Sequence, residues 1–426
     1  MKALTVELRP LDLSSYLILL SMFLMFAIAN TGCEHIEIPE TPETPIVEMD
    51  PTDSIAGQYV VIMKEEFMTP FYHFTFNGNP ENRGDQKEEY ESYQIQVEEE
   101  LEAYLTQIGI EWDSIHTVYA ASMIGFAGGI SNEQANMLSF EPMVDVVEPD
   151  FEDLVIETKG KSHVKGGGDP QTVDWGVSQI GSTDMTGSPW WAFVLDTGID
   201  LDHPDLNVRT DYSKSYVFFR GPNDENGHGT HVAGTIAAID NSIGTMGVAA
   251  GAPVVAVKVL KENGRGRMAR IVKGIDYACG VSIPGDVVNL SLGGKDRRRR
   301  TRVYSRAIQP VAAKGVFVAI AAGNNGRNAD SQVPARINGV NIYTVSAMNS
   351  GGSFAGFSNF GSDVDFCAPG VGILSLDKDG GCTTMSGTSM ATPHVAGILL
   401  ANGGVVNTSG NVAGDPDGVA DPIAGM

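Results

Sequence analysis

The chain is predicted to be an α/β protein, with a parallel sheet covered by helices on both faces and a small α+β unit ahead of it. Three observations predict this. From Gln171 onward, apolar strand runs alternate with amphipathic helix runs, the pattern of strand–helix–strand crossovers. Residues 57–157 carry the element order β-α-β-β-α-β. Residues 158–170 lie between the two and end in Gly166-Gly167-Gly168-Asp169-Pro170, an exposed flexible connection of the kind that proteases nick. A length of 426 residues accommodates two to three domains of roughly 100–200 residues.

The elements follow from local pattern. Residues 58–63 (Gln-Tyr-Val-Val-Ile-Met) form a strand. Residues 88–108 place Tyr90, Ile95, Val97, Leu101, Leu105 and Ile108 among acids and form an amphipathic helix. Strands follow at 115–119 and 123–130. Ser131 and Gln134 stand in capping-box spacing and start a second helix, and 143–147 is the last strand. This is a ferredoxin-like order. In the second part, strands are expected at 191–195, 254–260, 287–292, 316–321 and 342–346. Helices are expected at 229–239, 268–279 and 302–314, and another begins at Ser389. A hairpin is expected near 373–376.

Charge divides the chain in the same place. The net charge is −25, and residues 34–157 hold 28 acids against only Lys64, Arg83 and Lys87. The remainder balances. With charged residues at 19 % and 50 glycines, the composition is that of a loop-rich globular protein. No nucleic-acid-binding motif is present. Residues 1–33 read as an export signal: Lys2 and Arg9 precede an apolar run at 16–29, shorter than the about 20 residues of a membrane span. The run Ala29-Asn30-Thr31-Gly32-Cys33 resembles a bacterial lipoprotein cleavage site with Cys33 as the lipid-bearing residue, except at Asn30. Lipid anchoring at a cell surface and plain secretion are both open. Residues 34–56, with Pro-Glu-Thr-Pro-Glu-Thr-Pro, form an extended tether.

Three polar motifs fall at predicted strand or helix ends, where open parallel sheets place their sites. Asp196 ends a strand in Asp196-Thr197-Gly198-Ile199-Asp200. His228 begins a helix in Gly227-His228-Gly229-Thr230-His231. Ser389 begins another in Gly387-Thr388-Ser389-Met390-Ala391-Thr392-Pro393-His394. A serine hydroxyl is a weak nucleophile at neutral pH and needs a base, and the base needs an orienting carboxylate. Asn324, in Ala322-Gly323-Asn324-Asn325-Gly326, follows a strand and carries an amide donor suited to an oxyanion. Singly, each motif is also what a turn or a helix start looks like. Their joint occurrence on one frame points to nucleophilic catalysis.

Together with Val194-Leu195, Val257-Lys258-Val259-Leu260, Asn289-Leu290-Ser291-Leu292-Gly293-Gly294 and Ala368-Pro369-Gly370-Val371, these blocks resemble the subtilisin-like serine proteases, leaning toward the proteinase K branch, over residues 171–426. The resemblance implies a subtilisin-like fold, with Asp196, His228 and Ser389 as the catalytic triad and Asn324 in the oxyanion hole. It implies an endopeptidase acting through an acyl-enzyme on protein or peptide substrates, and acting as a monomer. It also implies that residues 57–157 are an inhibitory propeptide domain: Tyr59-Val60-Val61, Gly125-Phe126-Ala127-Gly128 and Val146-Val147-Glu148-Pro149-Asp150 match its pattern. The protein would then be an autoprocessed zymogen, cut within 158–170.

The same resemblance places Ser291, Leu292 and Gly293 on one side of an extended substrate, Gly264 and Gly266 on the other, and Ala322 and Gly323 in the wall of the S1 pocket. Residues 327–334 do not follow the family, which leaves P1 preference at the family's apolar or aromatic default. Structural Ca²⁺ is implied at Gln171, Asp205 and Asn241 through side chains and at Ile239, Ile243 and Thr245 through carbonyls, an all-oxygen set suited to this ion. The run Arg297-Arg298-Arg299-Arg300 is either a solvated loop or an attractor of acidic partners, the acidic propeptide included. Cys367 and Cys382 are either a pair or two thiols, and Cys279 is expected to be buried on a helix. Two other classes compete. An inactive peptide-binding scaffold would not need all four catalytic positions. An esterase would show a Gly-x-Ser-x-Gly elbow and the order Ser…Asp…His.

Overall fold

A computed structural model describes residues 54–67, 78–153, 162–164, 170–296 and 301–426. The expected signal, Cys33, residues 34–53 of the expected tether and the Arg297–Arg300 run lie outside the described residues, while residues 54–56, expected to end the tether, open the first strand.

The first part forms β1 (Ser54–Met63), α1 (Arg83–Gln107), β2 (Ile115–Tyr119), β3 (Gly125–Gly129), α2 (Asn132–Ser139) and β4 (Val144–Asp153). The strands lie in the order β4-β1-β3-β2, the ferredoxin-like arrangement. Val61, Val97, Leu101, Leu105, Phe126 and Leu138 fill its core. Both halves of the Ser131/Gln134 capping box are made.

A short strand β5 (Ser162–Val164) precedes α3 (Trp175–Ile180). The second part then runs β6 (Ala192–Asp196), α4 (His228–Ala237), β7 (Pro253–Lys258), β8 (Gly266–Arg267), α5 (Met268–Val281), β9 (Val287–Leu290), α6 (Thr301–Ala313), β10 (Phe317–Ala321) and β11 (Ile342–Met348). It closes with β12 (Phe366–Pro369), β13 (Ile373–Leu376), β14 (Cys382–Met385), α7 (Thr388–Ala401), β15 (Asn407–Asn411) and β16 (Pro422–Gly425). The central sheet has the order β15-β16-β12-β11-β10-β9-β6-β7, parallel except for β15.

Alternation along β6 builds both sides of this sheet. Phe193 and Leu195 pack toward α5 and α6, with Ile271, Ile275, Val303 and Ile308. Ala192 and Val194 pack toward α4 and α7, with Val232, Ile236, Val395 and Leu399. The helices that carry His228 and Ser389 therefore share one face. That face is nearly all small or branched residues, which lets α4 and α7 approach closely.

The two parts meet along α5. Asp150, in β4 of the first part, accepts from Ala269 N at 3.0 Å and so serves the first turn of α5, whose own N-cap, Arg267, makes no side-chain cap bond. Asp276, in the middle of α5, accepts from the backbone N–H groups of Ala120, Ala121 and Ser122 at 2.8–3.1 Å. The end of β4 pairs antiparallel with β8, Asp153 opposite Gly266 and Glu152 opposite Arg267. Further on, β5 adds to the β13–β14 hairpin as its third strand.

Cys279 is buried on α5, as expected. Cys367 sits in β12 of the central sheet and Cys382 in β14 of the hairpin sheet. Among the described residues no disulfide joins them.

Candidate active site

Asp196 ends β6, and its carboxylate is fully buried. Both oxygens stand 2.9 Å from His228 Nδ1. A carboxylate only accepts, so the Nδ1 proton faces Asp196 and Nε2 is left as the ring's acceptor. Oδ1 is further tied by Thr197 N at 2.6 Å. His228 Nε2 is buried and has no hydrogen-bond partner among the described residues.

Asp224 holds the start of α4. Its Oδ1 accepts from Thr197 Oγ1, Asn226 N and Gly227 N, each at 2.9 Å, and its Oδ2 from Thr230 N at 3.0 Å and Thr230 Oγ1 at 2.7 Å. Two of these, Gly227 N and Thr230 N, are helix-start donors that the helix cannot satisfy itself. Gly229 is required where α4 crosses the Asp196 loop, since a Cβ there would lie 2.0 Å from Gly198 O.

Ser389 lies in the first turn of α7, with 4 % of its surface exposed. Its Oγ donates to Ser291 O at 3.2 Å, not to His228. Ser291 Oγ in turn donates to Ser389 O at 2.9 Å and accepts from Asn289 Nδ2 at 2.9 Å. Thus the structure brings Asp196 and His228 into contact, and it brings Ser389 against the segment that follows β9. That ladder ends at Leu290, two residues before the expected end, so Ser291, Leu292 and Gly293 lie beyond it.

Asn324 Oδ1 accepts from Thr388 N at 2.8 Å and Thr388 Oγ1 at 3.1 Å. The amide is thereby oriented with its nitrogen as the donor end, beside the residue preceding Ser389. Asn359, fully buried, organises the neighbouring turn. Its Nδ2 donates to Ala322 O at 2.8 Å, and its Oδ1 accepts from Asn325 N and Arg327 N at 3.0 Å. Gly323 has φ 104, and a Cβ there would meet Asn359 Nδ2 at 2.4 Å. Residues 327–334 contain a short strand, Gln332–Val333, which pairs with Gly294–Lys295 just past Gly293. Of the expected flanking strand, Gly266 lies in β8 and Gly264 in the turn before it.

Gln171, Asp205, Ile239, Asn241 and Thr245 are joined by hydrogen bonds. Gln171 Nε2 donates to Ile239 O at 3.1 Å and Thr245 O at 3.2 Å. Asn241 Nδ2 donates to Asp205 Oδ1 at 2.6 Å, and Ile243 N donates to Asn241 Oδ1 at 2.7 Å. Asp205 is fully buried among neutral partners, and burial raises its carboxyl to about 6. A buried carboxylate, the carbonyls of Ile239 and Thr245 and an amide at Gln171 that can flip to offer oxygen fit a hard cation. Among the described residues no three His, Cys, Asp or Glu side chains gather to hold a metal, and this set needs only one.

Thr388, Asn359 and Asp224 were not singled out from sequence. Asp224 sits in Asn223-Asp224-Glu225-Asn226-Gly227-His228, where its spacing before a helix start is a capping signal that could have found it. Asn359 had no such local signal.

A buried Asp–His couple, a serine at a helix start and a parallel sheet with helices on both faces define a serine hydrolase with the order Asp…His…Ser. Comparison with known proteins narrows the class. Residues 193–401 match the family model described as "Subtilase family". A subtilisin-like protease of Coccidioides posadasii is 32 % identical over 364 residues, covering 82 % of each chain. The thermostable alkaline protease of Halalkalibacterium halodurans is 34 % identical, over 76 % of this chain and 83 % of its own. The crystal structure of a cold-adapted subtilisin-like serine proteinase aligns with a TM-score of 0.51 and 34 % identity, covering 58 % of this chain and 96 % of that one. The chain belongs to the subtilase family and is a serine endopeptidase.

Proposed function

We propose that this endopeptidase works through Ser389, His228 and Asp196, is made as a zymogen, and acts outside the cytoplasm, secreted or lipid-anchored at Cys33. The observation that carries the chemistry is the contact of His228 Nδ1 with both oxygens of Asp196, because it leaves Nε2 as an unsatisfied base. In the first step, Ser389 Oγ exchanges its bond to Ser291 O for one to His228 Nε2. The oxygen then attacks the scissile carbonyl carbon as its proton passes to Nε2. Negative charge gathers on the carbonyl oxygen. The Asn324 amide and the first-turn N–H of Ser389, which has no intrahelical acceptor, stabilise it. The C–N bond breaks as Nε2 returns the proton to the leaving amine. Water then repeats the sequence on the acyl-enzyme and restores Ser389.

Substrate lies extended between Ser291–Gly293 and Gly264–Gly266, a case of strand addition. Support comes from β4, which already pairs with Gly266–Arg267 through Glu152–Asp153. This pairing supports the reading of residues 57–157 as an internal inhibitor. Ala322 and Gly323 line S1. Gln171, Asp205 and Asn241 with the carbonyls of Ile239, Ile243 and Thr245 would hold Ca²⁺, whose charge would offset that of the buried Asp205.

Ser389→Ala in the full chain tests the reading. Casein hydrolysis and separation of the pro region should both vanish. Persistence of either in pure protein refutes the assignment.

A further inference from the structure

The N-terminal turns of α1 make a contact that the cleft does not explain. Arg83 is 4 % exposed and pairs with Asp286, which is fully buried: Nη1 lies 2.7 Å from Oδ2 and Nη2 2.9 Å from Oδ1. Nη2 also donates to Pro189 O at 2.9 Å, and the guanidinium stacks 3.8 Å from the centroid of the Trp191 ring. One turn along, Gln86 Nε2 donates to Gly280 O at 2.9 Å and Ser282 O at 2.7 Å, carbonyls at the end of α5. Tyr90 then lies over Gly280 so closely that a Cβ there would be 2.4 Å from its ring.

This pocket is remote from the cleft. Helix α5 starts at β8, where β4 pairs, and its 14 residues span about 21 Å before Ser282 is reached. The pocket belongs wholly to the catalytic part and is built without Arg83. Asp286 keeps two backbone donors of its own, Trp191 N and Ile283 N at 2.8 Å. Its planar bidentate geometry, backed by an aromatic face, selects a guanidinium over an ammonium. The other face-on charge at Trp191 is Arg209, 4.2 Å from the ring centroid, which is paired with Asp211.

We infer that Asp286, Trp191 and the carbonyls of Pro189, Gly280 and Ser282 form a second docking pocket that reads Arg83 and holds the pro region in place after the connecting chain is cut. Latency then outlasts cleavage. The cleft contact and the Arg83 pocket must both let go before the enzyme is open, and neither contact alone sets the rate. The inference rests on the proposed inhibitor role of residues 57–157.

The test uses the full chain, allowed to cleave itself. The delay before a chromogenic peptide is turned over at its final rate is recorded, and co-elution of the pro fragment is followed by gel filtration. Arg83→Met should shorten the delay at least about thirtyfold, because losing one partner of a buried charge pair acts on dissociation. The pro fragment should no longer co-elute, and the final kcat/KM should equal that of the unsubstituted enzyme. Arg83→Lys should fall between them. Millimolar guanidinium, but not matched sodium chloride, should lengthen the delay of Arg83→Ala. If Arg83→Met fails to accumulate, Gln86→Glu, which sets a carboxylate against two carbonyls, should give the same shortening. An unchanged delay and unchanged co-elution in these variants overturn the pocket while leaving the inhibitor reading intact. An unsubstituted chain with no delay and no co-elution overturns the inhibitor reading, and the pocket's role with it.

Discussion

Replacing Asp196 by Asn puts the proposed mechanism to a quantitative test. Thr197 N donates to Asp196 Oδ1 at 2.6 Å, so the oxygen of an introduced amide must take that position. Its nitrogen then falls where Oδ2 is, 2.9 Å from His228 Nδ1. The oxygen at the Oδ1 position stays 2.9 Å from Nδ1, so the introduced N–H competes with it for the ring; where Nδ1 accepts that N–H, the ring proton lies on Nε2 and Ser389 loses its acceptor. The charge lost matters separately. An imidazolium about 4 Å from a carboxylate gains about 4 kcal/mol at an effective dielectric of about 20. That alone is about 10³ in rate. The tautomer penalty adds to it, and triads altered in this way lose about 10⁴ in kcat. The expected result is a kcat for Asp196→Asn lower by 10³ to 10⁴, roughly 4–5.5 kcal/mol, with KM changed little because the amide is isosteric. Steady-state kinetics on a chromogenic peptide, with circular dichroism to verify folding, decides. A loss below about tenfold, or one confined to KM, would show that Asp196 does not orient the base.

Three further outcomes follow from the same geometry. Asp421 is buried, accepts from Ser346 Oγ at 2.6 Å, and is raised from 3.8 to about 7 by burial. Its folded value lies above its unfolded one, so its contribution is complete below about pH 4 and is lost as pH rises toward 7; this amounts to at most about 4 kcal/mol. In the Ser389→Ala background, Asp421→Asn should gain stability over its parent between pH 4 and 7 in urea melts, and a flat difference refutes this. Chelation should speed thermal inactivation, since an ion at about 100 times its Kd stabilises by about 2.7 kcal/mol, and Asp205→Asn should remove the chelator's effect. Neutralising Arg297–Arg300 should weaken pro-region inhibition at low salt and not at about 0.5 M, where the screening length is only a few ångströms; a constant that ignores both charge and salt means the run is only a solvated loop.

What could be read from sequence, and what could not, divides along local and non-local physics. The strands of the central sheet were legible because buried parallel strands are continuous apolar runs, as at Ala192–Asp196 and Phe317–Ala321. The Ser131 cap was legible because both its partners lie within four residues. Helix α1 was expected from Glu88 but begins at Arg83. Its first turns bury Arg83 and Gln86 against the catalytic part, so no apolar period marks them before Tyr90. Strand β4 was expected to stop at Val147 but runs to Asp153, because its last residues are paired by β8, more than a hundred residues away. Strand β15, Asn-Thr-Ser-Gly-Asn and wholly exposed, carries no hydrophobic signal at all. In the site, Asp196, His228 and Ser389 were visible as residue types at element ends. Asn359 and Thr388 act by holding backbone or amide groups in place, a role that only the folded chain defines.

The same distinction bears on why α5 looks as it does. All but one of its 14 residues are buried, yet among them are Lys273 and Asp276. Charged residues are rarely so buried unless paired. Lys273 and Asp276 pair with each other at 3.3 Å, and their further partners come from the first part of the chain: Asp276 from the amides at 120–122, and Lys273 from Tyr90 and Gln94 at 3.2 Å. A permanent core would place apolar groups at these positions, since replacing buried ion pairs with well-packed hydrophobic residues is often neutral or stabilising. Polar groups that water can also satisfy make sense on a helix that must stand in solvent once its cover departs. Burial of satisfied charge on α5 is therefore what a separable interface would require, and it supports the proposed zymogen from the side of α5.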